Sequence, residues 1–286
     1  MFGVTLADIG RGLGWFAGIN SLFIAAAMSF VLVVIFGKTR EIGRHAIENT
    51  SASIVLYVIN IAIGLTFSHE IFGFARKVYA LLGIPSLPED FWAGTPVVLT
   101  FVLVIVVKDF CDYVIHRLMH TTWGWPSHAA HHSDTHVNAF SAFRVHYLEI
   151  VLMQVNYLLL LSWLQLPHLY PALVTLVLAH NMYVHMDLPY THGRLKYLIA
   201  SPVFHRWHHA DVPEAHGKNL ANIMPIYDLI FGTYYVPRPC DAPMGALKGG
   251  IEDKNPLAIL VYPFQQWARL LRAAVGKPAR RIEPGE

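Results

Sequence analysis

Three histidine-rich stretches stand in the middle of the sequence: HRLMH (116–120), HAAHHSD (128–134) and HRWHH (205–209). Within each stretch, histidines recur at intervals of three or four residues. Side chains three or four residues apart lie on one face of an α-helix. The spacing therefore predicts three helical turns, each of which presents two or three imidazoles on one face.

The number of imidazoles indicates more than one metal ion. A single ion takes about four to six donors, and neutral imidazole suits iron, copper, zinc and nickel better than magnesium or calcium. Eight imidazoles therefore favour two ions. The candidate ligands are His116, His120, His128, His131, His132, His205, His208 and His209. His180 and His185 raise the count to ten, although their spacing of five residues does not place them cleanly on one helical face.

The composition is that of a membrane protein. Hydrophobic residues make up 55% of the 286 residues and charged residues only 14%, against about a quarter in soluble domains. The net charge of +2, without a basic block, predicts no nucleic-acid partner. Two cysteines, Cys111 and Cys240, provide neither a disulfide framework nor a thiolate metal site. The ligands of any metal are therefore expected to be nitrogen and oxygen.

The predicted fold class is an all-α integral membrane bundle, with four to five spans or a re-entrant hairpin, and a cytoplasmic helical cap that carries the histidines. A span needs about 20 mostly apolar residues. The candidate runs are 15–36, 54–72, 92–107, 147–166 and 169–184. Lys38, Arg40 and Arg44 follow the first run, and the positive-inside rule assigns them, and the histidine clusters, to the cytoplasmic face.

The chain is expected to have three regions. Residues 1–97 form an N-terminal transmembrane anchor, which has no secretory signal, 98–236 the catalytic region, and 237–286 a tail. The tail contains the apolar run PLAILVYPFQQWARLLRAA, which predicts an amphipathic helix.

The ordered set of motifs resembles the fatty acid hydroxylase and sterol desaturase superfamily of integral-membrane, non-haem di-iron oxygenases. Besides the three histidine stretches, the resemblance rests on FRVHYLE (143–149) and NIMPIYDLIFGTYY (222–235), and it covers about residues 98–236. It implies two iron ions held by the eight candidate histidines, with zinc able to substitute in preparations. The box after the hairpin typically has His or Asn four residues before its second His. Here that position is Asn181, so the resemblance implies His185 as a ligand, with His180 beside Asn181 as a further candidate.

The resemblance also implies the chemistry. Dioxygen is the co-substrate, a lipid C–H bond is hydroxylated, and electrons come from an external ferredoxin or haem carrier with its NAD(P)H reductase. Candidate residues that orient the ligands lie close to the motifs in the sequence. They are Asp112, Asp134, His136, His146, Asn181, His216 and Asn219, the last within a loose form of the usual Asn-Tyr-Gly stretch.

Three other functions remain as alternatives at this point. A desaturase of the same superfamily uses the same oxidising chemistry. A metal transporter is disfavoured because its ligands are expected along a path near the bilayer midplane. A zinc hydrolase is disfavoured because HExxH is absent and because the ligands are too many for one catalytic zinc.

Overall fold

The computed structural model describes residues 44–88, 90–246 and 249–276, and this part of the chain is helical. Short 3₁₀ helices connect the α-helices, and the β-structure in these residues is an isolated bridge between Ala210 and Met244. The α-helices are α1 Arg44–Leu82, α2 Val97–Met119, α3 Trp125–His132, α4 Tyr147–Trp163, α5 Tyr170–Val184, α6 Pro202–His208, α7 Ile226–Ile230 and α8 Pro256–Ala274.

The prediction of membrane spans is wrong for this part of the chain. Among the helices of residues 44–88, 90–246 and 249–276, none combines the length and the apolar character needed to cross a bilayer. The predicted hairpin forms, but α4 and α5 have 17 and 15 residues, fewer than the roughly 20 that a span needs. In α2, Lys108, Asp109 and Asp112 interrupt the apolar sequence.

The amino-acid composition favoured membrane spans because it counts apolar residues but does not show whether they are continuous along one helix. The predicted run 54–72 is part of α1, and the run 92–107 becomes helical only at Val97. The run 15–36 lies outside the described residues. The assignment of the histidine clusters to the cytoplasmic face stays a prediction.

Helix α1 packs along α4 and holds the segment between α3 and α4. The Asn49 side chain donates to Asp134 Oδ1 over 3.0 Å, and Asn60 donates to the carbonyl of Val145 over 2.8 Å. Both asparagines are buried, so each hydrogen bond satisfies a group that water cannot reach. These contacts fix both ends of the segment that connects the second histidine stretch to α4.

The α4–α5 hairpin packs on the first half of α2 through an apolar cluster. Leu161, Leu169 and Leu173 surround Val104 there, and all four are at most 1% exposed. Truncating such a leucine to alanine costs about 2–5 kcal/mol, so this cluster holds the hairpin firmly in place. Pro167 starts the 3₁₀ turn between the two helices, where its missing N–H breaks no helical hydrogen bond.

The helices α3 and α6 are short, and their starting points are set by local sequence. Gly124 permits the close turn from α2 into α3, because a Cβ at this position would lie 2.6 Å from the Met119 Cα. Helix α6 begins with Pro202 after Ser201, whose hydroxyl accepts from the Phe204 N–H over 3.2 Å. Both helices carry histidines, so these starting points set the direction in which the imidazoles project.

Candidate metal centre

In the described part of the chain, nine histidines gather into two adjacent groups. In each group, one ring nitrogen from every member lies within 4.8 Å of the others. We call the group of five the α2-side cluster; it contains His116, His120, His128, His132 and His208. We call the group of four the α5-side cluster; it contains His131, His185, His205 and His209.

The helical period explains how one helix serves two clusters. His128 and His132 are four residues apart and share a face of α3. His131 projects about 100° away from His132 and about 60° away from His128, and it enters the other cluster. At the C-terminal end of α6, the two histidines four residues apart, His205 and His209, join the α5-side cluster. The histidine between them, His208, joins the α2-side cluster. The clusters touch, because the ring centroids of His132 and His209 are 4.5 Å apart.

Backbone carbonyls fix the orientation of several rings. A carbonyl only accepts, so a ring whose Nδ1 contacts one carries its proton on Nδ1 and turns the lone pair of Nε2 inward. Four rings have such partners: His116 with Leu220 O at 2.7 Å, His208 with Lys218 O at 2.9 Å, His131 with Arg144 O at 3.3 Å and His185 with Asn181 O at 2.6 Å.

The arrangement of these inward nitrogens fits metal ions. The Nε2 atoms of His131 and His185 are 3.3 Å apart, although both present lone pairs and cannot bond to each other. The buried Nε2 atoms of His120, His132 and His208 have no hydrogen-bond partner among the described residues. Two nitrogens that share an ion at about 2.1 Å lie roughly 3.0–3.4 Å apart. A cation in each cluster would satisfy these atoms.

Burial keeps the imidazoles neutral. It lowers the pKa of all nine clustered histidines, with neighbouring imidazoles adding to the effect at most of them. For His185 the pKa falls to about 4, in spite of the opposing hydrogen bond to Asn181. Neutral imidazole is the form that binds a metal, so the clusters are ready to do so at neutral pH.

Glu149 orients one ligand candidate and was missed by the sequence analysis. Its Oε2 lies 3.0 Å from His128 Nδ1, and burial raises the pKa of Glu149 to about 8. A carboxylate in this position fixes the tautomer of a metal-binding histidine and makes it more basic. The signal was present in FRVHYLE, but a single glutamate does not reveal which histidine it will reach.

The segment Lys218–Leu220 presents carbonyls to two rings of the α2-side cluster. Asn219 adopts a left-handed backbone with φ of 55°, and its amide donates to the carbonyls of Phe204 and Tyr235 over 2.8 and 2.7 Å. Asp228 accepts from the N–H groups of Leu220 and Ala221 over 2.7 and 2.8 Å. Asn219 therefore lies beside the site, where it holds a loop rather than touching a ring.

The structure separates His180 from both clusters. Its Nε2 lies 3.1 Å from the carbonyl of Asn222, and burial lowers its pKa to about 4. Asn181, the neighbouring candidate, contributes its backbone carbonyl to His185. The residue that follows α5, His185, thus belongs to a cluster, whereas His180 faces Asn222, whose side chain donates to Asp112.

The other predicted outer residues serve mainly to hold the surrounding loops. Asp134 accepts from Asn49, Ser141 and the His136 N–H, and the Nε2 of His146 lies 3.1 Å from Leu260 O. The ring of His136 lies 3.0 Å from the hydroxyl of Thr135. His216 lies 3.6 Å from Asp211. These contacts are made outside the two clusters.

Comparison with known sequences gives the family. The sequence model described as "Fatty acid hydroxylase" matches residues 101–233, which contain all nine clustered histidines. This region of the chain is therefore similar to the fatty acid hydroxylase family. The resemblance inferred from the motifs is therefore confirmed, and the two histidine clusters are a feature of its fatty acid hydroxylase region. No solved structure shows a significant match to the chain.

Several curated proteins are similar to this chain. Ornithine lipid hydroxylase OlsE of Rhizobium tropici is 29% identical over 204 residues, which is 69% of this chain and 60% of that protein. Alkylglycerol monooxygenase of Homo sapiens is 30% identical over 44% of this chain and 28% of that protein. Methylsterol monooxygenase 1-3 of Arabidopsis thaliana is 27% identical over 53% and 51%. The chain thus spans less than two thirds of the length of each of these relatives.

Proposed function

We propose that the protein is a non-haem di-iron monooxygenase that hydroxylates a C–H bond of a lipid. One dioxygen, two electrons and two protons convert the C–H bond to C–OH and release one water. The observation that carries the proposal is the pair of adjacent histidine clusters, whose inward nitrogens are placed so that a cation in each cluster would satisfy them. The names of three relatives support it, since each is a hydroxylase or monooxygenase of a lipid.

The donor set supports iron as the metal. Imidazole nitrogen suits iron, copper and zinc, and zinc ranks above ferrous iron in affinity, so a preparation that contains zinc is compatible with the proposal. When bound, the two iron ions supply the activation of dioxygen. The protein supplies neutral imidazoles in fixed orientations, with Nδ1 protons held by the carbonyls of Leu220, Lys218, Arg144 and Asn181.

The burial of the two clusters favours access from one side. The histidines of the α5-side cluster are all buried, whereas His116 and His120 of the α2-side cluster are half-buried. Trp125 covers part of the latter, with its ring centroid 5.4 Å from His120 and 5.1 Å from His132. We propose that the substrate approaches along α2, and that the two electrons come from an external carrier protein, a ferredoxin or a haem protein with its reductase.

The test begins with metal content. The metal-free protein is loaded with ferrous iron under nitrogen, and we expect two ions per chain with the Mössbauer signature of nitrogen-ligated iron. A reductant and oxygen-18 gas are then added with extracted lipids, and mass spectrometry is expected to find lipids that carry one labelled oxygen. Products that have lost two hydrogens without gaining oxygen would indicate a desaturase instead. One iron per chain, or no iron-dependent product, would contradict the proposal.

A further inference from the structure

A buried ion pair lies beside the α2-side cluster and is not part of it. Lys108 and Asp112 are 1% and 2% exposed and contact each other across one turn of α2. Asp109, the other acid of this turn, accepts from the N–H groups of Ile223 and Met224 over 2.9 and 2.7 Å. Asp112 is therefore the carboxylate that neutralises Lys108.

The contacts of this pair are concentrated on one carboxylate oxygen. Asp112 Oδ2 contacts Lys108 and accepts from Tyr157 Oη over 3.2 Å and from Asn222 Nδ2 over 3.4 Å. Asp112 Oδ1 is buried and has no hydrogen-bond partner within the described part of the chain. Apart from Asp112, Lys108 Nζ has no acceptor among the residues that the structure describes, and it lies 4.6 Å from the centroid of the Tyr157 ring. A free acceptor and a free donor thus stand together inside the protein.

The pair occupies a defined place between the apolar core and the metal centre. Val104, Lys108, Asp112 and His116 follow one another at intervals of four residues and so share one face of α2. Val104 packs in the apolar cluster with Leu161, and His116 belongs to the α2-side cluster. Asp112 is about 6 Å along the helix axis from His116.

Stability does not account for the pair. Burying two charges is costly, and replacing such a pair by apolar residues of similar size is often neutral or stabilising. A buried carboxylate oxygen and ammonium with unused hydrogen-bonding capacity add to this cost. A ligand that donates to Asp112 Oδ1 and accepts from Lys108 Nζ would offset it.

We propose that Lys108 and Asp112 bind a hydroxyl group of the lipid substrate. The inference rests on the proposed function and deepens it. The hydroxyl group donates a hydrogen bond to Asp112 Oδ1 and accepts a hydrogen bond from Lys108 Nζ. Because the hydroxyl group is neutral, it adds no net charge to the interior. Held about one helical turn from His116, this group fixes the distance along the lipid between its hydroxyl and the carbon that reaches the metal centre. Lys108 and Asp112 are thus specificity-determining residues.

The test measures binding without turnover, so it does not depend on the oxygenase activity. The full-length, zinc-loaded protein binds tritiated hexadecanol, and hexadecyl methyl ether competes; the ether accepts from Lys108 but cannot donate to Asp112. We expect the wild type to prefer the alcohol roughly ten- to a hundredfold, as hydrogen bonds to charged groups commonly give. The double variant Lys108→Met/Asp112→Leu should bind both probes equally.

The control removes a different ion pair. Lys254 and Glu48 are in contact over 3.1 Å and only partly buried, so Lys254→Met/Glu48→Leu should keep the preference for the alcohol. If the buried double variant fails to fold, Asp112→Asn replaces it. The amide oxygen of the asparagine can make the contacts that Oδ2 makes in the wild type, and the NH₂ group then replaces the acceptor Oδ1. The ratio of the affinities for the alcohol and the ether should therefore fall toward one. Equal affinities in the wild type, or a preference that survives in these variants, would overturn the proposal.

Discussion

Replacement of Glu149 by glutamine should change how metal affinity depends on pH. In the metal-free protein, burial raises the pKa of Glu149 to about 8, so the carboxyl group is mostly protonated at pH 7. A metal on His128 Nε2 requires the Nδ1 proton to remain on the ring, 3.0 Å from a carboxylate that accepts it. Metal binding below pH 8 must therefore release the proton of Glu149.

The magnitude follows from that pKa. Ionising a group whose pKa is about 8 costs about 1.4 kcal/mol at pH 7 and almost nothing at pH 9, so the affinity of the α2-side cluster should rise about tenfold over this range. The clustered histidines add little to this dependence because their pKa values are lowered and they are already neutral at pH 7. Glu149→Gln has no proton to release, and its neutral amide should weaken binding at pH 9 about 10- to 100-fold.

The assay is a competition for zinc between the protein and a chromophoric chelator at pH 7, 8 and 9. Glu48→Gln is the matched control, because Glu48 pairs with Lys254 and lies outside both clusters. The wild type and the control should show the tenfold rise, whereas Glu149→Gln should show a nearly flat profile. A Glu149→Gln profile as steep as that of the wild type would refute this reasoning.

Three further outcomes are expected. His131→Ala should lower the tightly bound metal from two ions per chain to one, whereas His180→Ala should retain two. Inductively coupled plasma mass spectrometry measures the metal content of both variants. Equal loss of metal would contradict the placement of His180 outside the clusters. Asn219→Ala should lower the free energy of unfolding by about 3 kcal/mol, because it loses three hydrogen bonds and keeps a left-handed φ. Asn219→Gly should lower the free energy of unfolding by less, because glycine adopts this φ without strain. Thermal denaturation measures both effects, and equal losses would argue against backbone strain. The metal-free protein should lose stability as the pH falls from about 6.5 to about 4. The pKa of His185 is about 4 in the folded protein, so over this range the unfolded chain binds a proton that the folded chain does not. This difference should lower the free energy of unfolding by about 3 kcal/mol. Urea titrations across this range measure the effect, and stability independent of pH would contradict it.

The helical turns that carry the histidines could be predicted from local sequence alone. The spacing of histidines three or four residues apart within HRLMH, HAAHHSD and HRWHH is a local property. It therefore predicted short helical faces independently of the rest of the chain. The hairpin around Pro167 and the helix after Asn255 were also readable from local sequence. The resemblance to the fatty acid hydroxylase family rested on the order of the motifs rather than on any one of them, and the family model matches residues 101–233.

The division of these turns between two clusters could not be predicted from local sequence, because it depends on how the helices pack. The rotation of about 100° per residue separates His131 from His132, but which cluster each one enters depends on where α5 and α6 pack. The partners Glu149, Leu220 and Lys218 reach their rings from positions distant in sequence, and packing turns His180 toward Asn222 instead. Local spacing fixes the face of a helix, whereas the neighbour on that face is selected by the whole fold.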